Sequence, residues 1–190
     1  MAARTQRDKI VRAAAGLFRR KGYAGTGLND VVTESGAPKG SLYHYFPLGK
    51  SSIAVAAVTE AGRRIAATLT KLAGECRSTG DLVRRHAELL AGWMRASGFR
   101  DGCPITTVLL ELAPGDRDVT EAGRAAYRAR VAILSDKLIA DGFPKARAEA
   151  LAVLCTSALQ GALIQARVER SGRALETTAS ELARLLDAAT

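Results

Sequence analysis

Residues 26–46, TGLNDVVTESGAPKGSLYHYF, restrict the possible folds more than any other stretch of this 190-residue chain. Two apolar sets at helical spacing, Leu28, Val31 and Val32 and then Leu42, Tyr43 and Phe46, are separated by Ser35-Gly36. Each set spans about two turns of helix. Gly36 supplies a backbone that can reverse tightly, Pro38 is tolerated in the first turn of the second helix, and Pro47 bars its continuation. Thr26 stands where a capping hydroxyl would start the first of the pair. Two short helices about a tight turn form a helix-turn-helix, a module that does little unless a third helix covers its apolar side.

That third helix is signalled just upstream. Thr5 and Asp8 stand three apart in a capping-box arrangement, and Ile10, Val11, Ala14, Leu17 and Phe18 follow at helical spacing. Arg19, Arg20, Lys21 and then Gly22 suit a helix C-terminus. Beyond Pro47 the pattern stays helical. Helices are expected over about 51–72, ended by Gly74; from an Asp81 cap through Trp93 and Met94 to Gly98; from Pro104 to Leu112; over about 117–140; over about 145–169, with its break at Ser171-Gly172; and over about 174–188. Alanine and leucine dominate, β-branched and aromatic residues are scarce, and no strand alternation or repeat is visible. The fold class is therefore all-α with about nine helices, divided into an N-terminal head over residues 1–50 and a helical domain over residues 51–190.

The charge is uneven. Residues 1–50 hold nine basic side chains, Arg4 among them, against three acidic ones, whereas the whole chain has 28 and 19. A polyanion would be met at the head. Three widely spaced cysteines, Cys76, Cys103 and Cys155, fit neither a disulfide framework nor a zinc site. No uninterrupted apolar run reaches membrane length, and the N-terminal residues lack the apolar stretch of a signal peptide. A cytoplasmic protein without membrane contact, metal or cofactor is expected.

The outward positions of the second short helix are small, polar or aromatic. Gly40 lets the backbone approach a sugar-phosphate chain, and Lys39 and Ser41 can donate to phosphates or bases. Tyr43 offers a hydroxyl and a ring face, and His44 can read a base edge. The helix starts at Thr26 and Lys50 are further places for a phosphate.

The capped first helix, Lys21-Gly22-Tyr23, the T-x-L-x-x-V run and SGAPKGSLYHYF with a following lysine resemble the N-terminal domain of TetR-family regulators. The resemblance implies a sequence-specific DNA-binding transcriptional regulator, of the ligand-responsive repressor kind, with DNA contacts at Thr26, Lys39, Gly40, Ser41, Tyr43, His44 and Lys50. Pro38 replaces a polar residue common in the family, and the link Phe46-Pro47-Leu48-Gly49-Lys50 is one residue longer than usual. That link and Gly102-Cys103-Pro104-Ile105 are similar to the LmrA and YxaF subgroup. The resemblance further implies a homodimer through the eighth and ninth helices, operator DNA as partner and a small-molecule inducer.

For that inducer, Trp93, Met94, Cys103, Ile105, Leu109, Tyr127 and Gln165 are expected to line an apolar, partly aromatic pocket between helices four to eight, with the fourth helix as lever. Simple core packing is the alternative for each apolar member. Two other functions stay open on the residues alone: an architectural DNA-binding protein without ligand, and an enzyme using Cys103 with His86. His86 itself reads as structural or exposed.

Overall fold

The computed structural model describes residues 5–188, so Arg4 of the basic head lies outside the described residues. Among the described residues there are nine α-helices and no strand: α1 Gln6–Lys21, α2 Leu28–Ser35, α3 Lys39–Tyr45, α4 Lys50–Glu75, α5 Thr79–Ala96, α6 Pro104–Leu112, α7 Arg117–Ala140, α8 Lys145–Glu169 and α9 Arg173–Asp187. Two compact units are formed. One takes the chain up to Arg63 together with Cys103–Ala126, and the other takes Arg64–Gly102 together with the chain from Tyr127 onward. Of the three points where the chain passes between them, two fall inside helices, α4 and α7, and one in the link between α5 and α6.

In the first unit, Thr5 caps α1, its side chain accepting from the Asp8 amide at 3.2 Å. Ile10, Ala14, Leu17 and Phe18 form a buried stripe against which α2, α3 and α6 pack. Gly22 ends α1 with its amide on the Phe18 carbonyl. Three features differ from the sequence expectation. Gly27, not Thr26, is the N-cap of α2, because the Thr26 hydroxyl is turned back to donate to the Gly22 carbonyl at 2.8 Å. The Asp30 carboxylate accepts from the Gly27 amide instead, at 3.1 Å. Pro38 is the N-cap of α3 rather than a residue of its first turn. And α4 continues to Glu75, so Gly74 lies inside it rather than stopping it. A glycine at 123 lets α7 lie close to α6: a Cβ there would stand 2.6 Å from the Leu109 side chain.

The second unit packs α5 on α8 and α9, and α8 on α9, around Leu82, Leu138, Leu151, Leu159 and Leu175. Ser78 caps α5, accepting from the Asp81 amide at 3.1 Å, so Asp81 is the third helical residue and not the cap. Extended backbone at Ser78 is what aims its hydroxyl along the helix axis. Thr79 donates from both its amide and its hydroxyl to Asp141, each at 2.6 Å, and Lys137 pairs with the same carboxylate. Burial opposes the ionisation of Asp141, but these hydrogen bonds outweigh it and hold the acid below the usual carboxylate range. The end of α8 at Glu169 agrees with expectation. Arg170, in the left-handed region with φ 51°, closes the helix just before Ser171-Gly172. Taken as a whole, α8 is long and apolar enough to cross a membrane, although no uninterrupted apolar run in the sequence suggests it. Alanine-rich close packing accounts for part of that composition: 44% of its most apolar stretch is buried within the fold.

Candidate nucleic-acid interface

The turn between α2 and α3 is built on Gly36, whose φ of 61° is left-handed backbone that a Cβ would strain. From it α3 emerges with Leu42 fully buried and Phe46 nearly so, which anchors one side of the helix on α1. The opposite side faces solvent. Lys39, Gly40 and His44 are exposed, Tyr43 is 49% exposed, and Ser41 is half-buried. A Cβ at Gly40 would meet nothing within 4 Å, so intrachain packing does not require glycine there. Its small size is free to serve an approaching backbone. Tyr45 is also exposed, and its ring stands edge-on to His44 at 5.0 Å. The spacing rules singled out Tyr43 and not Tyr45, although both meet solvent.

Thr26 and Lys50 are placed differently. Thr26 is fully buried, with its hydroxyl proton committed to Gly22. At the start of α2 its hydroxyl holds the turn. Lys50 begins α4 and holds its ammonium 4.1 Å from the centre of the Tyr23 ring, a cation–π contact. Burial lowers the Lys50 pKa, opposed by the charge of Glu111. Glu111 on α6 was not foreseen. Its two oxygens accept from the backbone amides of Tyr23 and Ala24, at 2.7 and 2.6 Å. A carboxylate from α6 thus fixes the turn that leads into α2, and the ring beside that turn positions Lys50. The contact spans 88 residues, so no local pattern announces it.

The residues expected to line a ligand pocket are distributed over both units. Trp93, Met94, Tyr127 and Gln165 belong to one, and Cys103, Ile105 and Leu109 to the other. Met94 and Ile105 are buried, Cys103, Leu109 and Tyr127 are half-buried, and Trp93 is 51% exposed. Gln165 lies on the exposed side of α8; the glutamine that meets Tyr127 is Gln160, whose amide donates to the Tyr127 hydroxyl at 3.4 Å. His86 is buried, and Cys155 is a thiol that burial pushes up to about 11, unreactive at neutral pH. No group of three or more metal-ligating side chains occurs among the described residues.

A helix-turn-helix braced by α1, with the outward face of its second helix polar and aromatic, at the head of an all-helical chain, defines the class of DNA-binding transcriptional regulators. Residues 10–57 match the family model for bacterial regulatory proteins of the tetR family, and residues 80–181 match that for the C-terminal domain of LmrA/YxaF-like transcriptional regulators. The chain belongs to the TetR family of transcriptional regulators. It is 38% identical to a helix-turn-helix-type transcriptional regulator of Mycobacterium tuberculosis, over 95% of this chain and 93% of that one. It is 30% identical to the regulator LmrA of Bacillus subtilis, over 83% and 84% of the two chains. In fold it is similar to the TetR-family regulator CifR, solved as a cysteine mutant with operator DNA: TM-score 0.78, 20% identity, 97% of each chain covered.

Proposed function

We propose that this regulator is a homodimeric, ligand-responsive repressor whose α3 enters the major groove of an operator. The observation that carries this reading is the division of α3 into a buried anchor, Leu42 and Phe46, and an outward set, Lys39, Gly40, Ser41, Tyr43 and His44. Lys39 and Tyr43 serve phosphates, Ser41 and His44 reach base edges, and Gly40 leaves room for the DNA backbone. Lys50, steered by Tyr23, adds a phosphate contact at the start of α4. Thr26 acts through the turn it closes, with its backbone as the phosphate contact. Such a protein acts in the cytoplasm, where the DNA is.

The dimer is proposed to form through α8 and α9. Val153, Leu154, Gly161, Ile164 and Val168 make an exposed, largely apolar stripe along α8, and Leu185 is exposed on α9. A solvated helix would not keep such a stripe without a partner. The inducer, an apolar or aromatic small molecule, acts by binding one conformer more tightly than the operator-competent one. Its site is proposed among the C-terminal helices, with Tyr127 as a polar contact and Trp93 as the reporter.

The test is selection of bound duplexes from a random pool with the full-length protein. An inverted repeat with half-sites one or more helical turns apart is expected. Enrichment of no sequence, with binding that depends on salt alone, would mean an architectural DNA-binding protein.

A further inference from the structure

Three helices of the second unit bring together polar groups that the fold buries without satisfying. Arg130 on α7 is only 7% exposed, and its Nε has no hydrogen-bond partner. Among the described residues no carboxylate pairs with this guanidinium; the contact it makes is with the ring of Tyr127, 5.9 Å away. The Tyr127 hydroxyl accepts from Gln160 on α8, which leaves its own proton available. One turn earlier on the same face of α8, the buried Thr156 hydroxyl also has no partner. His86 on α5 supplies no counter-charge. Burial, and then the charge of Arg130, push its pKa down to about 4, so the imidazole is neutral.

Arginine side chains do not escape burial by losing a proton. A buried charge without a partner is strongly unfavourable, and native folds pair such groups or use them. We infer that Arg130, with Tyr127, Gln160 and Thr156, is an anion-binding floor, and that the small molecule it receives carries a carboxylate on an apolar body. This inference rests on the reading of the protein as a ligand-responsive regulator. The planar guanidinium fits the two oxygens of a carboxylate, while Tyr127 and Thr156 add hydroxyl donors. One cation calls for a monoanion; a phosphate dianion would leave a second charge buried and unmatched. The body is apolar because the neighbouring buried positions on the same helices are Leu134, Leu138, Leu159 and Leu163.

The test uses the full-length protein and a panel of monocarboxylates, hexanoate, benzoate, phenylacetate and 2-naphthoate, each beside its own carboxamide. Thermal shift and calorimetry read binding, and operator release is measured separately. At least one acid is expected to bind saturably and raise Tm, while its amide binds at least tenfold more weakly. Arg130→Met is expected to abolish that response and to raise the Tm of the free protein, since it removes an unmatched charge. An arginine that merely held the fold together would lower it. If Arg130→Met does not fold, Tyr127→Phe and Thr156→Val carry the same test, each weakening the acid several-fold with the Tm kept. The inference is overturned if no acid binds the native protein, or if acid and amide bind alike, or if the variants bind the acid as well as the native chain does. Acids that bind through Arg130 but never release DNA would refute the ligand-responsive reading and leave the site standing. An uncharged molecule that releases DNA equally from native protein and Arg130→Met would do the reverse.

Discussion

In the proposed reading, Tyr43 is the side chain expected to matter most for DNA recognition, because it is large, half exposed and rooted in a helix whose other side is locked by Leu42. Tyr43→Ala removes nothing from the core. Operator affinity is expected to fall at least tenfold in a gel-shift titration, with helical content by circular dichroism unchanged; equal affinity would remove α3 from the role proposed for it. His86 gives a second expectation at this scale. Its pKa falls from an ordinary 6.5 to about 4 in the folded chain. Above pH 6.5 both folded and unfolded states carry a neutral imidazole, and its contribution to stability is complete. Below pH 6.5 the unfolded chain takes up a proton that the folded chain refuses, so stability drains as pH falls toward 4, by about 3 kcal/mol in all. Urea unfolding between pH 7.5 and 4.5 measures this, and His86→Gln is expected to flatten the profile. Asp116 and Asp141, held below the usual carboxylate range, begin to lose their own contribution only below about pH 5, so the histidine is read from the part of the profile above it.

At the scale of the element, helix starts are where local sequence was ambiguous. Both Ser78 and Asp81 are capping residue types, three apart, and either could have led α5. The extended backbone of Ser78 decided for the serine. Ser78→Ala is expected to cost about 1 kcal/mol in urea unfolding, because the Asp81 amide is left without its acceptor. Asp81→Ala is expected to cost less, since that carboxylate complements the helix dipole from the first turn and meets the Cys76 thiol but caps no amide of the helix. If Asp81→Ala proves the more damaging, the capping assignment is reversed. At α2 the same competition went against Thr26, whose hydroxyl found a carbonyl one turn back, and the start passed to Gly27. The element lengths, by contrast, were legible: apolar spacing runs through α1, and Gly22, Pro104 and Pro144 mark ends that the backbone has no reason to overrun.

Over the whole molecule, the exposed stripe on α8 is expected to be the protein's own interface. Gly161 sits in that stripe with open space around it in the single chain. Gly161→Arg should therefore leave the protomer folded. In an assembly through α8 it would bury an unpartnered charge, at about 3–5 kcal/mol, so monomers are expected in sedimentation velocity. A dimer that survives the substitution would move the interface to another surface.

What the sequence determined by itself is what local geometry controls. Helical periodicity, glycine and proline punctuation and the cluster KGSLYHY decide that nine helices form among the described residues, where most of them end, and which helix presents a polar face. These signals act within a turn or two and survive in any surroundings. Tertiary structure alone decided which charged groups find partners. Glu111 reaches the turn after α1 across 87 and 88 residues, Lys50 settles over the Tyr23 ring, and Arg130 is buried with no carboxylate partner among the described residues. Pairing and desolvation depend on elements far apart in the chain, and a charge in a sequence carries no mark of whether its partner will be another residue, water or a ligand.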